Sequence, residues 1–253
     1  MKKSLLLLLF SCFSLFILAN NGTKKNKINP RDTLGLKNVQ ARPDIPGTLL
    51  IDLGFNIFQN NLPEMELGNF GSKVLNFYYY FDYSIGNSHF SFNPAFGFGL
   101  DKYSFDKDVT LVNSGNNLIE VAQIVDILPI SPTADIIKSK LAVNYFDIPV
   151  EFRFNLKKND HRRSFKVAIG GKIGVLLTSH TKIKYKEEGT TIKLQNKQDF
   201  NLNKFRYGAH ARVGVGGFNV FFYYGISELF KNNKGPQNTS VTTMNLGISI
   251  AGF

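Results

Sequence analysis

From His89 to Lys102 the chain reads HFSFNPAFGFGLDK, and bulky apolar residues alternate with small or polar ones. Phe90, Phe92, Pro94, Phe96, Phe98 and Leu100 share one parity; His89, Ser91, Asn93, Ala95, Gly97, Gly99 and Asp101 share the other. A period of two over this length is a β-strand with one apolar face and one small, polar face. A strand crosses a bilayer in about 9–11 residues, so the apolar face is long enough to do so. The stretch reads as one stave of a transmembrane β-barrel.

Seven further segments repeat the pattern. They run Thr48–Ile57, Lys73–Ile85, Leu141–Leu156, Phe165–Ser179, Phe205–Val215, Phe218–Ser227 and Val241–Phe253. The connections alternate in length, short after the second, fourth and sixth strands and long after the others. An eight-stranded antiparallel up-and-down transmembrane β-barrel with short periplasmic turns and long extracellular loops has this asymmetry. With both termini in the periplasm, every long loop falls on one side.

A soluble barrel or sandwich also alternates, so the choice rests on the polar parity. A wet sheet surface gains nothing from being small. Here that parity is rich in Gly97, Gly99, Ala168, Gly170, Gly174, Gly208, Gly214 and Gly247, which suits the crowded interior of an eight-strand barrel. The opposite parity is almost free of charge, as lipid requires. Tyr83, Tyr103, Phe205, Tyr207 and Tyr224 lie near strand ends, where aromatic girdles sit.

The remaining regions fit the same address. Residues 1–19 read as a secretory signal peptide, with Lys2 and Lys3 before an apolar run and Ala19 as the cleavage residue. Cys12 is the single cysteine; Leu15–Leu18 continue the apolar run past it, which fits ordinary cleavage better than lipidation. Cysteine-based metal sites and disulfides are thereby excluded. Beyond Ala19 nothing approaches the ~18 apolar residues of a membrane helix. Residues 20–46 are polar, hold Pro30, Pro43 and Pro46, and read as a flexible periplasmic tail. Residues 47–253 form the barrel. Phe253 ends the last strand as an aromatic assembly signal, although a bulge near Gly252 is needed to bring it into parity. The net charge of +11 suits lipopolysaccharide phosphates. Nucleic acid is the poorer match, since the charges lie in turns and loops rather than among stacking aromatics.

The strand motifs DLGFN, FGFGLDKYSF, KSKLAVNYFDIPVEFRFN and GGKIGVLLTSHTKIKY together resemble the PorT-like outer-membrane β-barrel family over roughly residues 48–253. The resemblance implies the barrel fold. One member of that family is an accessory of a secretion system, but its roles are mixed and no catalytic motif comes with it.

Three groups of residues are candidate sites. Asp52, Asp82, Asp101, Asp147 and Glu151 share the inward parity with Arg153, Lys166, Lys172, Arg206 and Arg212, a balanced set that predicts a paired, filled lumen. His89 and His210 share that parity, but a metal would need a third ligand at the same height, and no metal or cofactor is expected. Ser179 and His180 are adjacent and so point to opposite faces, leaving no triad visible. In the loop over 103–138, Leu118, Val121, Ala122, Val125 and Leu128 recur at helical spacing. Asn117 to Glu120 reads as a capping box before them and Pro129 as the stop. The helix would dock a partner, cover the lumen mouth or pack on the rim. Finally, Lys182, Lys184, Lys186, Lys193 and Lys197 would lie outside the cell, and Lys157, Lys158, Arg162 and Arg163 in the periplasm.

The expected function is a non-enzymatic outer-membrane protein with a filled lumen and a structural or accessory role in the envelope. Its expected partners are outer-membrane lipid and lipopolysaccharide, the barrel assembly machinery and an envelope protein docked on the 103–138 loop. A narrow transport pore and a lipid-modifying barrel enzyme are the alternatives.

Overall fold

The computed structural model describes residues 47–68, 71–115, 118–131, 134–157 and 164–251. The leader over 1–19, the tail over 20–46, Lys158, Arg162, Arg163 and the terminal Phe253 lie outside the described residues.

Twelve strands occur among the described residues. The first six are β1 (Thr48–Gln59), β2 (Lys73–Tyr80), β3 (Tyr83–Ser84), β4 (Phe90–Phe105), β5 (Val109–Asn113) and β6 (Ile119–Gln123). The rest are β7 (Asp135–Asn155), β8 (Phe165–Glu187), β9 (Thr190–Asn196), β10 (Phe205–Val215), β11 (Phe218–Gly225) and β12 (Thr242–Ala251). Strands β1, β2, β4, β7, β8, β10, β11 and β12 pair antiparallel in that order, and β1 pairs back to β12. The sheet is therefore a closed eight-stranded barrel. Closure removes the free edges that an open sheet would expose.

The expected parity holds on every stave. Leu53, Phe77, Phe98, Phe152, Ile169, Val213, Val220 and Ile248, one on each barrel strand, all point outward and are exposed. An apolar belt of that extent, facing away from the core, is stable against hydrocarbon and not against water. Phe205, Tyr207 and Tyr224 are also exposed, whereas Tyr103 is 1% exposed and lies inside. Tyr103 is not a girdle residue. It stacks on Phe58 with ring centroids 4.6 Å apart.

Three local departures have physical causes. Strand β2 stops at Tyr80, because Pro94 stands opposite Phe81 and has no N–H to return to it. Phe81 N–H still donates to Pro94 O at 2.9 Å, and Asn93 Nδ2 donates to Phe81 O at 3.2 Å in place of the missing amide. Asp82 falls in this gap and is exposed. Second, a bulge between the pairs Asn144–Thr178 and Tyr145–Leu176 shifts the register of β8. Thr178, expected inside, is exposed, and Ser179, Thr181, Ile183 and Tyr185 turn inward. Third, the stretch expected to be a lysine-rich loop continues as β8 and folds back as β9. Glu188 and Gly189 make the turn with φ of 47° and 80°, the left-handed pair of a type I′ hairpin.

Asn117 lies outside the described residues, and among the described residues 118–128 the predicted helix does not form. Residues 119–123 form β6, hairpinned to β5, and only Ile124–Ile127 make a helical turn, α1, whose N-cap Gln123 makes no side-chain cap bond. Val109, Val112, Ile119 and Val121 are β-branched and stiff at χ1, which favours pleated backbone when a partner strand is adjacent.

Candidate functional site

The interior is built in layers from the short-turn end upward. Nearest that end is a cavity of about 390 Å³ lined by Thr48, Tyr80, Asp82, Arg153, Lys166 and Arg212, among others. Above it come two layers of charge, then an apolar cap.

Arg212 on β10 organises the lower charge layer. Its Nη1 donates to Asp52 Oδ1 at 2.8 Å and its Nε to Glu151 Oε1 at 3.2 Å. Arg212 also donates to Ser249, whose hydroxyl donates to Asp52 Oδ1 at 2.5 Å. Glu151 is fully buried and gathers more donors: Tyr80 OH at 2.7 Å, Arg153 Nη2 at 2.9 Å and His210 Nε2 at 3.1 Å. Five strands, β1, β2, β7, β10 and β12, are tied through this one carboxylate and its arginine.

Arg206, six residues earlier on β10, organises the upper layer. It grips Asp147 with Nε at 3.0 Å and Nη2 at 2.6 Å, and reaches Asp101 with Nη1. Tyr78 OH donates to Asp147 Oδ2 at 2.7 Å. Lys172 Nζ lies 3.9 Å from the same oxygen and 3.8 Å from the centroid of Tyr223, and Arg206 lies 3.8 Å from that of Tyr145. Bidentate guanidinium–carboxylate geometry and aromatic stacking are what a desolvated arginine needs. Gly99 and Gly174 make the room. A Cβ on Gly99 would meet Arg206 Nη2 and Asp147 Oδ2, and one on Gly174 would meet Asp147 Oδ1.

Of the ten charges predicted to share the lumen, eight do: Asp52, Asp101, Asp147, Glu151, Arg153, Lys172, Arg206 and Arg212. The other two sit at the mouth of the lower cavity, and neither joins an ion pair among the described residues: Asp82 is exposed and Lys166 half-buried. His210 belongs to the lower layer. His89 does not: it is exposed at the turn end, with Nδ1 2.9 Å from Asn155 O. Ser179 donates to Gln198 O at 2.6 Å. Among the described residues no group of three His, Cys, Asp or Glu side chains is arranged to hold a metal. Between the charge layers the remaining void is about 10 Å³, room for no more than one water.

The apolar cap is what the sequence left unread. Phe58, Met65, Tyr103, Phe105, Val109, Leu111, Ile119, Leu141, Phe200, Leu202, Phe230 and Val241 form one buried cluster at the long-loop end. All four long connections or the strand ends beside them contribute. Lys231 donates to Asp199 Oδ2 across two of those loops at 2.9 Å, and with the Asn201 N–H holds that carboxyl below its ordinary range. Leu118, Val121, Val125 and Leu128 share no common face here. Val121 packs on the cap, Leu128 packs beside Ile124, and Val125 is exposed. Ile119 and Ile124, 1% and 0% exposed, are the true anchors.

No curated protein matches the sequence. Among solved structures the chain is similar to Ail, the attachment invasion locus protein of Yersinia pestis, solved in complex with the heparin analogue sucrose octasulfate. The identity is 14%, over 82% of this chain and 100% of that one, with a TM-score of 0.34. The family model described as outer membrane protein beta-barrel domain matches residues 49–231. With its lipid-facing belt and closed eight-strand sheet, the chain belongs to the outer membrane protein beta-barrel domain family and is an outer-membrane β-barrel protein.

Proposed function

We propose that this barrel does not conduct and is not an enzyme, and that it serves a structural or accessory role in the envelope, holding its extracellular loops as a fixed platform. The observation that carries the reading is the filled interior: two salt-bridged layers around Arg206 and Arg212, sealed above by the apolar cluster of Phe58, Tyr103 and Phe230. A selective pore keeps its charges hydrated and its ions weakly held; here each arginine is held by two carboxylates. The narrower PorT-like resemblance fits this role and rests on the strand motifs alone. Docking of an envelope partner on the 106–134 excursion is supported by the exposed side chains of Val125 and Ile127. The full chain in a planar bilayer is expected to give no steady current. A stable current that changes on Arg212→Ala would overturn the filled-lumen reading.

A further inference from the structure

The outward face above the apolar belt carries lysines that the interior does not use, and strand register sets them in rows. Lys73 on β2 faces Lys102 on β4, and that row continues through Ala142 to His180. In the next row Lys140 faces Lys182. Above it Lys138, Lys184 and Lys193 stand abreast on β7, β8 and β9. Directly opposed residues share a face with Cβ atoms about 4.5–5.5 Å apart, and like charges so placed repel. Lys140 lies within electrostatic reach of Lys102, Lys138 and Lys182.

None of these lysines forms an ion pair among the described residues. The acids at the upper end of the same ribbon do not pair with them. Asp135 faces Lys186 one row higher, and Glu187 accepts a hydrogen bond from the Ser131 N–H at 2.7 Å. The rows also stand on a firm base. On the other side of the same ribbon, Ile183 and Tyr185 pack with Ile136 and Ile192 against the fully buried Ile124 of α1.

Position selects the counter-ion. Below Lys102 lies the row Leu100, Asn144 and Thr178, and below that the lipid-facing Phe98, Phe146 and Val175. Lys102 is two residues, about 7 Å of strand, beyond Leu100, so the lysines begin where the hydrocarbon ends. From the structure we infer that this face binds a phosphorylated glycolipid of the outer leaflet, its acyl chains along Phe98, Phe146 and Val175 and its phosphates among Lys102, Lys138, Lys140, Lys182, Lys184 and Lys193. Continuity with the belt is what favours a lipid over a soluble polyanion, and the inference stands whether or not the lumen conducts.

The test titrates the full chain in lipid-free micelles with bisphosphorylated lipid A and with the same lipid stripped of phosphate, read by native mass spectrometry. A variant carrying Lys138→Gln, Lys140→Gln, Lys182→Gln, Lys184→Gln and Lys193→Gln is expected to bind lipid A at least tenfold more weakly. Stripping the phosphates should weaken the unmodified chain equally and the variant no further. Lys107→Gln with Lys234→Gln, equal in sign but off this face, should change binding less than twofold. Heat-modifiable gel mobility reports folding. Should the fivefold variant not fold, the exposed pair Lys138→Gln and Lys193→Gln carries the test with an expected threefold loss. Unchanged binding by the variants, equal binding of the stripped lipid, or equally tight binding of inorganic polyphosphate would each overturn the inference.

Discussion

Arg206→Met is expected to destabilise the folded barrel by about 3–5 kcal/mol in micelles, the cost of leaving buried charges without their partner. Asp101 and Asp147 are 1% and 0% exposed, and Arg206 supplies Asp147 with two donors and Asp101 with one. Among the described residues Lys172 is the only other base paired with either acid, 3.9 Å from one oxygen of Asp147, and cannot replace that grip. Adding Asp101→Asn and Asp147→Asn to the same chain removes the orphaned charges, so the triple variant should recover most of the loss. Urea unfolding followed by gel mobility measures all of them. If Arg206→Met came within ~1 kcal/mol of the unmodified chain, a threshold well under the buried-pair cost, water would have to reach both acids and the sealed interior would be wrong.

Ile169→Arg should cost about 2–4 kcal/mol by the same assay, the price of a cation near the middle of a lipid-facing belt. Ile169 is 65% exposed on β8, close to midway between Phe165 and Val175. Ile137→Arg is the matched control. It replaces a residue 45% exposed on the part of β7 that pairs with the lysine ribbon, above the belt, and should cost no more than ~1 kcal/mol. Water around both sites would make the two substitutions equal and small. Equal costs would therefore remove the membrane from the account.

Inside the belt the strands were readable because hydrocarbon on one side and a crowded lumen on the other force every side chain to obey a period of two. That constraint delivered eight staves, the length alternation of the loops and eight of the ten interior charges. It ends where the hydrocarbon ends. Above Thr178 both faces of the ribbon meet protein or water, so a bulge changes parity without cost, and Ile183 and Tyr185 turn in while lysines turn out. In the loop over 106–134, Leu118, Val121, Val125 and Leu128 fit helical spacing by coincidence; the β-branched Ile119 and Val121 had a partner strand in Val109–Asn113. Asp82 was misplaced because parity carries no hydrogen-bond accounting. The missing amide of Pro94, read opposite Phe81, was the available signal. Pairing partners such as Arg206 with Asp101 depend on heights across strands, which spacing along one strand does not contain.

The interior charges divide unevenly along the chain. All four buried acids, Asp52, Asp101, Asp147 and Glu151, are on β1, β4 and β7, whereas Lys172, Arg206 and Arg212 are on β8 and β10. A partly threaded polypeptide ending before β8 would hold its carboxylates in a half-built trough with Arg153 as their one basic companion among the paired interior charges. The amino-terminal staves therefore have no neutral resting place in the bilayer until the carboxy-terminal ones arrive. Insertion and sealing are therefore expected to be coupled, so that truncated products stay unfinished.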